Sequence, residues 1–496
     1  MLFTTGAFLF VYLPVTLGGF FLIARFAGVR IAAAWLVLAS MFFYACWRPV
    51  HVLLLVASIC FNYWAGGLIL RAREPGSPTS AKRLLVFAIA TNLLALAYFK
   101  YANFFIDTLN GLAGLHIHRW SIALPLGISF FTFTQIAYLA DVYAGKVAER
   151  SPVRYALFVS YFPHLVAGPV LHHSQMMPQF REPRVYRPEF GNFAMGIAFL
   201  VAGLIKKVLV ADSFAPIARE VFASSLHGAI APEAAWRGIL AYTLQIYFDF
   251  SGYSDMAIGL SRLIGVRLPY NFNSPYKALD IIDFWRRWHM TLSAFLRDYL
   301  YIPLGGNRKG PARRYVNLLL TMLLGGLWHG AAWTFVVWGG LHGIYLMVNH
   351  GWRRLTGRDE PVRARRPPSL AGRTLGNAVT MLAVMVAWVF FRAEDMQSAT
   401  AMLGAMFGMT PVTAQPLAGW QIDQWFGLAA LLLCARILPN TQEIIDGHLG
   451  PLVARLCTPG WRPALGMSVG AGIVAVVLTA MISASRQVTE FIYFNF

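Results

Sequence analysis

The chain has 496 residues, 57% of them hydrophobic and 15% aromatic, with only 13% charged, where a soluble protein of this size carries about 25% charged residues. Its net charge is +19 and its mean hydropathy is +0.56. That combination excludes an ordinary soluble enzyme and weakens nucleic-acid binding, because basic residues gather in the cytoplasmic loops of membrane proteins. Four cysteines, Cys46, Cys60, Cys434 and Cys457, show no CxxC spacing, so neither a disulfide framework nor a zinc site is indicated.

Taken in chain order, apolar runs long enough for a bilayer core recur. The expected spans lie near 3–24, 31–47, 51–70, 84–106, 121–143, 190–211, 236–260, 315–333, 334–350, 374–391, 424–438 and 463–484. The expectation is an all-α polytopic integral membrane protein of about 11–12 transmembrane helices in a single domain, 1–496. Arg25 and Arg30, then Arg71, Arg73, Lys82 and Arg83, then Lys146, Arg150 and Arg154 follow alternate spans. Placing those loops in the cytoplasm puts the N-terminus outside. The opening stretch lacks a basic n-region and is long enough to span, so it reads as a first helix, not a cleaved signal.

Two regions break the pattern. Residues 155–180 carry Pro163, Gly168, Pro169, His164, His172 and His173 in apolar surroundings. Helix breakers at depth require burial by protein, so a re-entrant or interfacial hairpin is expected there. Residues 261–314 hold ten Lys and Arg against Asp280, Asp283 and Asp298, interleaved with aromatic residues. This reads as cytoplasmic interfacial helices, with anionic lipid as an equally good explanation of the charge.

Within the second region, a helix is expected from Asp280. It would pair Asp283 with Arg286 and Arg287 and put Trp285, Trp288, His289 and Leu292 on one face. Next, the run 315–350 contains His329 and His342 and, from 315 to 348, no Asp, Glu, Lys or Arg. A buried polar ring needs a reason. Gly325, Gly326 and Gly330 around His329 permit close approach of a helix or ligand, while Trp328 and Trp333 could wall a cavity. A neutral imidazole placed so could accept a hydroxyl proton. There is no GxSxG, no HExxH and no Walker-type loop.

The stretches YFPHLVAGPV, YFDFSGYSDMAIG, NFNSPY, DFWRRWHMTLSAFLRDYLYIPLGGNR, LLLTMLLGGLWHGAAWTFVVWGGLHG and VFFRAE, in this order, resemble the membrane-bound O-acyltransferase family (MBOAT), and most nearly its bacterial alginate O-acetylation subunits. The resemblance implies a helical bundle with a catalytic histidine in a mid-membrane tunnel. It carries that role to His329 and a second, less defined one to His289. Trp285, Trp288, Trp328, Arg286, Arg287, Arg308, Asn307 and Asp283 are the expected substrate-binding residues, with no metal. It implies no bound cofactor and acetyl-CoA as acyl-donor substrate. The implied partners are a periplasmic esterase-like acetyltransferase, a polysaccharide acceptor and membrane lipid; the implied location is the bacterial inner membrane. D-alanyl or longer-acyl transfer, and a sugar transporter without acyl transfer, stay open as alternatives.

Overall fold

A computed structural model describes residues 1–74, 80–227, 230–356, 369–409 and 422–451, together with 453, 472, 491 and 492. Every regular element among them is helical. The longer ones are α1 (Ala7–Phe26), α2 (Val29–Ala45), α3 (Pro49–Ala72), α4 (Ala81–Ala113), α5 (Ile128–Ala144), α6 (Pro152–Ser160), α7 (Phe190–Ser224) and α8 (Pro232–Leu263). They continue with α9 (Ile281–Trp285), α10 (Met290–Leu296), α11 (Gly310–His329), α12 (Trp333–Leu355), α13 (Leu370–Arg392), α14 (Met396–Met406) and α15 (Ile422–Ile437).

Among the described residues, five helices are individually long and apolar enough to cross a membrane: α1, α3, α4, α7 and α13. Other expected spans form helices that fall short by composition or length. α8 carries Glu233, Arg237, Asp249, Asp255 and Arg262 along its 32 residues. α2 has 17 residues, and α12 ends in Arg353 and Arg354. The expected span at 121–143 starts only at Ile128, because Gly127 adopts φ 70 and the preceding stretch is not helical. The Tyr44 hydroxyl donates to the Leu126 carbonyl at 2.8 Å and ties that stretch down. The expected span at 463–484 lies outside the described residues, Gly472 apart.

The chain divides into two compact units. The first comprises 1–205, 252–270 and 441–495; the second comprises 206–251, 271–440 and Phe496. In the first unit, α7 and α8 meet through glycines. A methyl group on Gly259 would stand 2.6 Å from the Gly196 carbonyl oxygen, and one on Gly203 would stand 2.5 Å from the Gly252 carbonyl oxygen. Small residues allow this backbone approach, which suits helix packing without a solvent-driven hydrophobic term.

The segment 152–181 of this unit is a chain of short helices, Pro152–Ser160, Phe162–Leu165, His173–Met176 and Gln179–Arg181. Glu149 is its clasp. Its Oε1 accepts from the Ser151 N–H at 2.9 Å and lies 3.0 Å from an Arg154 nitrogen, while Oε2 faces His173 and Arg181, each at 3.6 Å. Burial pushes this carboxyl up, but the nearby His173, the Ser151 hydrogen bond and the Arg154 charge outweigh it and hold the pKa at about 2. His164 Nε2 bonds the Phe158 carbonyl at 2.9 Å, and His172 and Gln175 form a capping box on the His173–Met176 turn. These histidines serve the local backbone.

Candidate active site

The site lies wholly in the second unit and begins with the α11–α12 hairpin. α11 ends at His329, because Gly330 takes an extended conformation and the chain turns through 330–332 into α12. Glycines let the two backbones touch. A methyl on Gly326 would stand 2.2 Å from the Phe335 carbonyl oxygen, and one on Gly339 would stand 2.3 Å from that of Met322. This contact presses His329, 3% exposed, against aromatic rings. Trp328 lies 4.9 Å from its ring centroid, Trp338 5.0 Å and Phe391 of α13 5.2 Å.

His289 enters the same cluster, its ring centroid 6.5 Å from that of His329 and 6.4 Å from Trp328. The helix expected from Asp280 through Leu292 does not form. Asp280 caps α9 by accepting the Asp283 N–H at 2.9 Å, but α9 stops at Trp285, and His289 adopts φ 42, ψ 53 before α10 starts. A left-handed conformation at a residue with a Cβ costs about 1 kcal/mol or more and persists only where the surroundings over-determine it. Among the described residues, His289 and Ser274 are the two non-glycines with positive φ.

Asn271 supplies the over-determination. Its backbone carbonyl accepts the Met290 N–H at 2.9 Å. Its Oδ1 accepts the Thr291 hydroxyl at 2.9 Å and lies 2.9 Å from His289 Nδ1. An oxygen that already accepts from Thr291 can only accept from the imidazole too, so the His289 proton sits on Nδ1. That leaves the lone pair on Nε2, which is buried and has no hydrogen-bond partner. Phe250 packs edge-on to the ring at 4.7 Å.

The cage has a second layer. Trp285 Nε1 donates to His342 Nδ1 at 3.3 Å, so the proton of neutral His342 is on Nε2. Trp338 lies 4.8 Å from His342 and stacks on Trp388 at 5.9 Å. Trp288 packs on Trp388 at 4.9 Å. Trp338 Nε1 and His342 Nε2 are buried without protein partners, as is His289 Nε2. Each unsatisfied buried group costs roughly 1–3 kcal/mol, so the clustering of such groups around these rings calls for a functional reason.

The remaining expected residues stand differently. Arg287 pairs with Asp283 at 2.8 Å and donates to the Asn273 carbonyl, bracing the loop that carries Asn271. Arg286, Asn307 and Arg308 are exposed and make none of the ring contacts around the two histidines. Trp333 is 52% exposed, and Trp338 stands where Trp333 was expected to wall the site. Asn271, Trp338, His342, Trp388 and Phe391 were not singled out as site residues from sequence. The only available signal was tryptophan and histidine placed inside uncharged runs. Asp249 pairs with Lys207 at 2.6 Å, and Lys207 also pairs with Asp212 at 2.7 Å. Asp255 accepts the Thr441 hydroxyl at 2.8 Å. These carboxylates are occupied structurally.

The structure thus sets two buried imidazoles side by side in an aromatic cluster, within an apolar helical chain of the kind that membrane-embedded enzymes use. The chain belongs to the membrane-bound O-acyltransferase family, which it matches over residues 80–389, and it is accordingly an acyltransferase. It is 42% identical to a peptidoglycan O-acetyltransferase of Helicobacter pylori over 83% of this chain and 81% of that one. It is 40% identical to a protein of Azotobacter vinelandii named "Probable alginate O-acetylase AlgI", over 100% of both chains. A teichoic acid D-alanyltransferase of Streptococcus thermophilus is more distant, 25% identical over 54% of this chain and 68% of its own.

Proposed function

We propose that this acyltransferase takes an acetyl group from a cytoplasmic thioester, acetyl-CoA, and passes it through a tunnel in the bundle for O-acetylation of an exported glycan such as alginate. It acts in the bacterial inner membrane, and a periplasmic esterase-like transferase completes delivery to the polymer. The observation that carries the reading is the cage itself, with two buried imidazoles 6.5 Å apart beside buried polar atoms that protein leaves unsatisfied. Acetyl is favoured over D-alanyl because the relatives named as O-acetylases match at 39% to 45% identity and the D-alanyltransferases at 25% and 27%.

In this mechanism, the acceptor hydroxyl donates its one proton toward His329, beside His289, whose tautomer Asn271 fixes. His329 takes the hydroxyl proton as the oxygen attacks the thioester carbonyl. The tetrahedral intermediate then collapses, the C–S bond breaks, and the proton passes from His329 to the leaving thiolate. The N–H groups of Trp338 and His342 are available to the carbonyl oxygen, which develops negative charge. Positioned general-base catalysis contributes roughly 10²–10⁴ in rate. The exposed Arg286 and Arg308, with Asn307, receive the donor's phosphates at the cytoplasmic surface.

The test is acetyl content of exported polymer in cells carrying His329→Ala or His289→Ala, with membrane insertion checked for each. Loss of acetylation in both, with insertion intact, is expected. Full acetylation by an inserted His329→Ala protein removes the proposal.

A further inference from the structure

A second site, separate from the histidine cage, lies inside the first unit. A cavity of about 610 Å³ opens between the first turns of α7, the end of α8 with the loop after it, and residues 446–453. Its volume is in the range of ligand pockets, roughly 300–1,000 Å³. The polar part of the lining is charge-balanced, with Arg262 and Arg267 against Glu189 and Asp446. The apolar part includes Met195, Phe199 and Ile258.

The charges are present but loosely used. Arg262, with its side chain 12% exposed, reaches Asp446 only at 3.7 Å. The Arg267 backbone is clamped at both ends by Gln179, whose Oε1 accepts its N–H and whose Nε2 donates to its carbonyl, each at 2.9 Å. Its guanidinium makes no ion pair among the described residues, and Arg267 lines the same cavity as Arg262. Glu189 is exposed, and its carboxylate accepts from Asn192 at 2.8 Å. Two guanidiniums that line one cavity offer a fork that suits a phosphate. A ligand with anionic charge alone would leave both carboxylates facing it, which is repulsive.

We infer that this cavity binds a zwitterionic aminophospholipid, its phosphate between Arg262 and Arg267, its ammonium toward Glu189 and Asp446, and an acyl chain along Met195, Phe199 and Ile258. The site lies at the first turns of α7, a helix long and apolar enough to cross a membrane, and lipid headgroups gather at the ends of such helices. It is a lipid site distinct from the acyl-transfer chemistry, and its test does not depend on that chemistry.

Delipidated full-length protein in detergent is titrated with dioleoyl phosphatidylethanolamine, dioleoyl phosphatidylglycerol and inorganic pyrophosphate, and bound species are counted by native mass spectrometry. Phosphatidylethanolamine is expected to bind at lower concentration than phosphatidylglycerol. Arg267→Gln should weaken both lipids about tenfold by removing a charge-assisted phosphate contact. Glu189→Gln, a change at an exposed side chain, should erase or invert the preference between the two lipids while acyl transfer stays at its normal rate. Equal binding of both lipids to the unaltered protein, or undiminished phosphatidylethanolamine binding to Arg267→Gln, overturns the inference. Pyrophosphate displacing the lipid at similar concentration assigns the cavity to a soluble phosphate compound, and that also overturns it.

Discussion

Gly326→Ala tests the geometry of the site without altering any chemical group in it. The added methyl would lie 2.2 Å from the Phe335 carbonyl oxygen and 3.1 Å from Gly339 Cα. Both obstacles are backbone, so no rotamer change relieves them. Restoring a contact of roughly 3.4 Å requires α11 and α12 to part by roughly 1 Å. His329 lies three residues further along α11, and its partner Trp338 is on α12, so the parting acts directly on the contact between them. Overpacking of this kind costs about 1–3 kcal/mol, and the higher helix propensity of alanine returns about 1 kcal/mol. The protein should therefore still fold and insert. A misplacement of about 1 Å in a catalytic constellation costs on the order of 10²-fold in rate, so the kinetic effect should dominate. Gly340→Ala on the same helix pair is the control, because its methyl meets Leu323 at an ordinary 3.5 Å. The assay is the initial rate of acyl transfer per inserted protein. A near-normal rate for Gly326→Ala, or an equal loss for Gly340→Ala, refutes the reasoning.

Asn271→Ala should cut acyl transfer about 10–100-fold by freeing the His289 tautomer, while Thr291→Val, which removes only the second hydrogen bond to the Asn271 oxygen, should cost less; a ring-nitrogen NMR signature of His289 that does not change in Asn271→Ala contradicts the assignment. Glu149→Gln should destabilise the 152–181 segment by about 1–2 kcal/mol, below the value for a fully buried pair because Arg154 and Arg181 are partly exposed. The folded pKa of Glu149, about 2, lies below its ordinary 4.5, so its contribution is present above pH 4.5 and is lost as pH falls toward 2; protease sensitivity of this segment should rise over that window in the unaltered protein, and that component should be missing in Glu149→Gln. Lys207→Met leaves Asp212 and Asp249 buried and mutually repelling, at a cost of about 3–5 kcal/mol. Adding Asp212→Asn and Asp249→Asn should recover part of that in thermal unfolding, and no recovery would contradict the pairing.

Membrane embedding, helical class and family were legible in the sequence because composition and motif order carry them. The site was legible only in part. The LWHG stretch made His329 conspicuous, but its position at the very end of α11 depends on the extended Gly330, which a hydropathy pattern does not encode. The helical face drawn through Trp285, Trp288, His289 and Leu292 does not form, because the left-handed His289 interrupts the helix, and contacts from Asn271, 18 residues away in sequence, hold it there. Periodicity reports local preference and is blind to such tertiary restraints. Trp338, Trp388 and Phe391 reach the cage from α12 and α13. Side by side in an apolar run they looked like any other core residues, and only folding shows which rings surround the imidazoles. Arg287 is engaged by Asp283, its i−4 neighbour, the pairing that the spacing predicts.

The central claim is that one buried imidazole drives the breaking of a thioester, and thiol release measures it most directly. Purified full-length protein, given acetyl-CoA and an acceptor hydroxyl, should release free thiol at a rate that falls by roughly 10²–10⁴ in His329→Gln with the protein still folded. His329→Gln releasing thiol at the unaltered rate, with acetyl still reaching the acceptor, would contradict the account.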